Sequence, residues 1–274
     1  MLIDDQKGVS MLKYYVADAF ADEVFEGNPA GVCILDEWLP IEKMEKIAIE
    51  NNLSETAFAV KEGDVYGLRW FTPGGEIDLC GHATMGTAYI LFRFVEKDAK
   101  RIEFHTKKAG YELAVEKKGD LYEMDFPAME IEECKVEDYM TEALGAEPLE
   151  VWKTYRDMVF VLDSEETVKN LEPDLRKIKE FPEGLSAFVT ARGKEYDIVA
   201  RAFWPKINID EDPVCGAMFC ALMPYWKEKA GLEKVVARQL SARGGTVYSE
   251  LKGDRVKISG RAALYLEGNI CVDE

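Results

Sequence analysis

Two apolar runs set the strongest limits on how this chain can fold. LCGHATMGTAYILF begins at Leu79 and VCGAMFCALMPYW at Val214, and each opens on a Cys-Gly pair. No charged residue occurs from His82 to Phe92 or from Pro213 to Trp226. Both runs read as helices, and a helix that is apolar all round must be covered on every side. Arg93 and Lys227 break them well short of a membrane span, so the cover has to be protein. Short alternating segments supply it: VYGLRWFT before the first run, then RIEFHT, YELAVEKK and LYEMDFP after it. These predict sheets curled about the helices. Pro224 removes a backbone donor and is expected to bend the second helix or end its regular part.

The surroundings of the two runs repeat as well. Trp70-Phe71-Thr72-Pro73 precedes the first Cys-Gly, and Phe203-Trp204-Pro205 precedes the second. Asp78 lies shortly before Cys80, and Asp212 shortly before Cys215. Aromatic strand end, proline, acid, Cys-Gly and buried helix thus recur in one order, the mark of a degenerate internal duplication. The expected architecture is α+β, in two similar halves, residues 11–128 and 129–274. Each is a curled, mostly antiparallel sheet or barrel around a central helix, and the last strand is free to return to the first half. The acidic segment from Met129 to Glu147 marks the seam.

Charge and cysteine content narrow the function classes. The net charge of −18 excludes nucleic acid and anionic membranes as natural partners and reads as solubility. A small anion bound in a locally positive cleft stays open. Six cysteines (Cys33, Cys80, Cys134, Cys215, Cys220 and Cys271) lack C-x-x-C spacing, and only His82 and His105 accompany them. No zinc site, metal or cofactor is expected. The opening MLIDDQKGVS has neither a basic nor an apolar leader region, so reduced thiols and a cytoplasmic location are expected.

Several residues are suited to chemistry. Glu55 in NNLSETAF stands among small and apolar neighbours, where poor solvation suits a carboxyl to acid–base work; otherwise it caps a helix or faces water. His82 opens the first buried helix, where the dipole favours a neutral imidazole that hydrogen-bonds a ligand. Asp212 before Pro213 is a substrate contact or an N-cap, and Asp210 and Glu211 beside it read as a solvated acidic loop. Cys80 and Cys215 are either small buried hydrophobes or a pair of low-pKa thiols that pass a proton across a carbon. Gly27-Asn28-Pro29-Ala30-Gly31 is a tight turn through which Asn28 can approach a ligand.

GNPAGV, NNLSETAF, DLCGHAT, EDPVCG and ARQLSARGG, in this order, resemble the motifs of the phenazine-biosynthesis-like (PhzF-like) isomerases, from about Tyr14 to near the C-terminus. The resemblance implies the diaminopimelate-epimerase-like fold, a site in the cleft between the halves, a homodimer, and a small carboxylate-bearing substrate isomerised without a cofactor. It makes Glu55 the acid–base residue and His82 and Asp212 substrate contacts. The backbone N–H groups of Gly81 and Gly216 would hold the substrate carboxylate. One departure stands out: where the family usually has Ser-Ala-His or Ser-Ala-Asn, this chain has Ala217-Met218-Phe219. That sets the phenazine substrate aside. Two other readings stay open, a two-cysteine racemase using Cys80 and Cys215, and a carboxylate-binding protein without catalysis.

Overall fold

The computed structural model describes residues 2–4 and 9–273, so part of the Met1–Ser10 stretch on which the leader was read lies outside them. The chain divides into two compact units, Met1–Met124 with Arg261–Glu274, and Asp125–Gly260. The division falls just before the expected seam. No helix among the described residues is long and apolar enough to cross a membrane.

The first unit contains strands β1 (Leu2–Asp4), β2 (Val9–Ala19), β3 (Asn28–Leu35), β4 (Glu55–Glu62), β5 (Val65–Thr72), β6 (Gly75–Ile77), β7 (Arg101–Thr106), β8 (Glu112–Lys118) and β9 (Leu121–Pro127), and helices α1 (Ile41–Asn51) and α2 (Gly81–Ile90). The last strand, Ala262–Asp273, runs antiparallel to β2, whose other side carries β3 and β1. Strands β3 and β4 are parallel, β4 and β5 antiparallel, and β5 and β7 parallel. An antiparallel β7–β8–β9 meander completes the sheet, and β6 folds back on β5.

Sequence explains how this sheet is covered on both faces. Leu12, Tyr14 and Val16 of β2 join Cys33, Phe58 and Val60 in a core against Met44, Ile47 and Ala48 of α1. The alternate residues of β2 face the other way, toward α2, and are small where the helix is closest. A Cβ on Gly86 would lie 3.4 Å from Ala30 and 3.6 Å from Ala17. Every residue from His82 to Ile90 is buried. The helix touches β2, β3 and β4, and also β8 and the last strand from far ends of the sheet, so the sheet curls around it. Beyond Ile90 it widens into a π-helical turn, Leu91–Val95, closed by a 2.7 Å bond from the Glu96 N–H to the Leu91 carbonyl.

The second unit repeats the plan with β10 (Glu132–Cys134), β11 (Glu150–Lys153), β12 (Met158–Val161), β13 (Ala187–Arg192), β14 (Ile198–Trp204), β15 (Ile209–Asp212), β16 (Lys234–Gln239), β17 (Gly245–Lys252) and β18 (Arg255–Gly260). Helices α3 (Asp138–Leu144), α4 (Glu165–Lys169) and α5 (Leu175–Lys179) cover it, and α6 (Phe219–Ala230) is its central helix. The alternation of pairings is the same: β12 and β13 parallel, β13 and β14 antiparallel, β14 and β16 parallel, then an antiparallel β16–β17–β18 meander, with β15 on β14. Duplication extends to register. Thr56 pairs with Gly31 and Phe71, as Ala187 pairs with Met158 and Phe203. Stepping back one residue, Glu55 corresponds to Ser186, Ala30 to Asp157 and Pro29 to Arg156.

Two expectations about the second helix are corrected. Its regular part begins at Phe219, not at the Cys-Gly pair, because Gly216–Cys220 forms tighter turns in which Phe219 bonds Gly216 and Cys220 bonds Ala217. Nor does Pro224 end it. The Cys220 carbonyl, which would lose its helical partner to Pro224, accepts the Met129 N–H at 2.8 Å instead.

Gly27 tests the geometry of the turn before β3. Its φ of 66° is left-handed, and an added Cβ would sit 2.1 Å from the Ala19 carbonyl oxygen. Gly27→Ala should therefore lower unfolding free energy by ~2 kcal/mol in urea titrations. Gly63→Ala, with a φ of 68° but open space around the new carbon, should lose only ~1 kcal/mol. Equal losses would mean that the carbonyl contact is irrelevant.

Candidate active site

Helix α1 ends in Asn52, whose left-handed φ of 49° turns the chain and lets its N–H bond the Ala48 carbonyl. Three residues later β4 starts with Glu55 beside Ala30 in register. Because Ala30 meets α2, its neighbour Glu55 faces the start of that helix. Asn28, also buried, lies two residues before Ala30 on the same face of β3. Glu55, His82, Cys80 and Gly81 are thus brought together in the first unit.

The contacts there are close and incompletely satisfied. Glu55 is 6% exposed and His82 8%. His82 Nε2 lies 3.0 Å from Glu55 Oε2, yet that oxygen is buried and receives no aligned hydrogen bond. Cys80 Sγ is 3.5 Å from His82 Nδ1. Cys80 itself sits at the N-cap of α2 without a side-chain cap bond, while Thr84 turns its hydroxyl back onto the Cys80 carbonyl at 2.6 Å. Helix N–H groups at Gly81 and His82 are accordingly left for an anion.

Electrostatics differ from what local sequence suggests. Burial alone would depress the His82 imidazole, but Cys80 and the Glu55 carboxylate outweigh it and hold its pKa well above the ordinary value. That direction favours the protonated imidazole more than the helix dipole alone implies. Burial, with the Glu55 charge, pushes the Cys80 thiol up, despite the opposing influence of His82. Glu55, Cys80 and His82 offer donor atoms within 4.8 Å of one another, a set that can hold a divalent transition metal. C-x-x-C spacing could not reveal this set, since β4 supplies its carboxylate. A metal there has to displace protons from both the imidazolium and the thiol.

In the second unit Asp212 ends β15, and Cys215 and Gly216 are buried just beyond it. Burial, reinforced by Asp212, raises the Cys215 thiol far above its ordinary range. Neither thiol has the lowered pKa that a helix start would give, because both are buried and Cys215 stands a turn ahead of its helix. Glu211 is not a solvated loop residue: Arg201 grips it at 2.7 and 3.0 Å. Sequence reading also passed over Gln239, which is fully buried and clamps the Cys215 backbone. Its Oε1 accepts the Cys215 N–H at 3.1 Å, and its Nε2 donates to the Cys215 carbonyl at 3.2 Å. Ser241 donates to the Pro213 carbonyl at 2.8 Å. The ARQLSARGG motif was the visible signal of this strap.

Comparison with known proteins agrees with the fold. A family model described as phenazine biosynthesis-like protein matches residues 17–268. An uncharacterized isomerase of Pseudomonas aeruginosa is 45% identical over 94% of this chain and 98% of its own length. The crystal structure of a PhzF-family phenazine biosynthesis protein from Enterococcus faecalis superposes with a TM-score of 0.92 at 46% identity, covering 95% of this chain and 99% of that one. A hydroxyproline epimerase from Agrobacterium vitis, solved with trans-4-hydroxy-L-proline, has a TM-score of 0.63 at 10% identity over 98% and 93% of the two chains. It shares the epimerase-like fold alone.

The raised His82 pKa has a definite sign. Folding favours the protonated imidazole, so its stabilisation is complete below the unfolded value of about 6.5 and lost as pH rises through the folded value. Wild-type protein should exceed His82→Gln in stability most at pH 6, with the margin shrinking by pH 9. NMR titration of His82 should give a midpoint above about 6.5 that falls in Glu55→Gln. A midpoint unchanged by that substitution contradicts the pairing.

Proposed function

Since the chain belongs to the phenazine biosynthesis-like family, we propose that it is an isomerase moving a proton on a small carboxylate-bearing metabolite, with Glu55 as its acid–base group. The observation that carries this is the buried Glu55 oxygen, close to His82 yet lacking an aligned donor. Buried polar atoms are rarely left unsatisfied, and exceptions concentrate where chemistry is done. Glu55 takes a proton from carbon and returns it to another carbon on the same face. The imidazolium of His82 and the N–H groups at Gly81 offset the negative charge that develops on the substrate. By family resemblance Asp212 and Gly216 contribute further substrate contacts, and Asn28 lines the Glu55 face of β3. No cofactor enters this scheme.

The raised thiols weigh against a two-cysteine racemase, which needs one of its sulfurs as thiolate. Ala217, where the family usually has serine, argues against the phenazine substrate. We also propose a homodimer. An exposed aromatic pair, Phe25 and Tyr265 with ring centroids 5.7 Å apart, offers apolar surface on the first unit. Light scattering should give twice the 31.0 kDa of one chain, and a monomer mass rejects the dimer.

Incubating candidate carboxylates in deuterated water and following C–H exchange tests the mechanism without a known product. Glu55→Gln keeps the shape and removes the base, so exchange should fall roughly 100-fold or more. Replacing Cys80 and Cys215 together with serine should change it less than tenfold. The reverse pattern overturns the Glu55 scheme in favour of the thiols. Tight binding with no exchange by the wild type identifies a binding protein.

A further inference from the structure

Strand register places Asp157 and Ser186 where the first unit has Ala30 and Glu55, so the second unit also carries a carboxylate at the start of its first parallel strand pair. Asp157 is fully buried, and it is satisfied. Ser186 donates to its Oδ1 at 2.8 Å, and Arg156 Nε donates to its Oδ2 at 2.8 Å. The Thr154 hydroxyl accepts the Asp157 N–H at 2.9 Å, fixing the backbone as well. Asp157 therefore cannot serve as a free base. What it does is hold a guanidinium.

Arg156 is anchored at one nitrogen and has no acceptor at the others among the described residues. Its planar group lies over the Trp204 ring, 5.2 Å from the centroid, and the Leu185 N–H bonds its carbonyl at 2.7 Å. Nη2 is buried without an acceptor, and Nη1 has none among the described residues, while the side chain keeps 32% of its surface in solvent. A fixed fork with unused donors matches a carboxylate. Its place in the fold is telling too. Arg156 occupies the register position of Pro29 in β3, beside Asp157, in the same unit as Gly216, and both charges act on the thiol of Cys215 next to that glycine.

We infer that Arg156 binds a carboxylate of the substrate other than the one held at Gly216, so that the substrate carries two anionic groups. This rests on the isomerase reading above. Titration calorimetry with glutarate and valerate, five-carbon acids bearing two and one carboxylates, tests it. Wild-type protein should bind glutarate at least tenfold more tightly than valerate. Arg156→Gln should bring glutarate to within about threefold of valerate and leave valerate itself unchanged. Arg156→Lys should fall between, keeping the charge without the fork. Since Arg156→Gln strands a buried carboxylate, the double variant R156Q/D157N repeats the measurement with both charges removed. Equal wild-type affinities, no measurable glutarate binding at about 10 mM, or an equal weakening of both acids in the variants overturns the inference. Glu55→Gln should keep the glutarate preference. Exchange that survives in Glu55→Gln beside an intact preference rejects the Glu55 mechanism and not the role of Arg156.

Discussion

A helix without a polar face has no side to turn toward water, and in the first unit everything else is arranged around that fact. Helix α2 is covered by strands from both ends of its sheet, and coverage on all sides requires the sheet to curl. Curling brings the backbone of β2 and β3 close, which Ala17, Ala30 and Gly86 permit by having almost no side chain. Once the helix is seated, its first turn lies at the start of β4. The Glu55 carboxylate thereby inherits a dry environment from packing that serves the core. An isolated carboxylate in such a place is unfavourable, and the His82 imidazolium 3.0 Å away is the compensation the fold supplies.

The two units solve the same structural problem and diverge at equivalent positions. In the first, a carboxylate on β4 is left with an unaligned oxygen. In the second, the carboxylate has moved to the neighbouring strand and is satisfied by a hydroxyl and a guanidinium. Serine at the position matching Glu55 is what allows this, since a second carboxylate there would repel the first. A single ancestral plan therefore holds one group ready to exchange protons and another locked as a counter-ion.

Much of this was legible in the residues. Charge-free runs after two Cys-Gly pairs announced central helices, and repeated Trp-Phe-Pro surroundings announced the duplication, because both signals are local. What could not be seen depends on distant partners. The upward push on the His82 imidazole comes from Cys80 and from Glu55, and the second is brought alongside only through the register of β3 and β4. Cysteines beside glycine suggested activated thiols, but depth of burial prevails over the dipole. Pro224 reads as a bend or an end of the helix, and the helix runs on past it because the Met129 N–H takes over the Cys220 carbonyl. The ARQLSARGG motif marked Gln239 but not its grip on Cys215, since the two residues lie apart in sequence and stand on different elements. Arg156 and Asp157 were plain charged residues ahead of a buried strand.

The return of the last strand to β2 bears on how the chain is made. Strand β2 precedes the second unit in the chain, yet along one side its eleven residues find their partners in Ala262–Asp273, which follows that unit. The second unit is one continuous stretch, Asp125–Gly260, and can close while synthesis is still under way. The first cannot. During that interval one side of β2 is an unpaired edge rich in tyrosine and valine, open to pairing with another nascent chain. Translation must pass the whole second unit and reach Ala262–Asp273 before that edge is protected, so removing this one strand uncovers β2 along its full length.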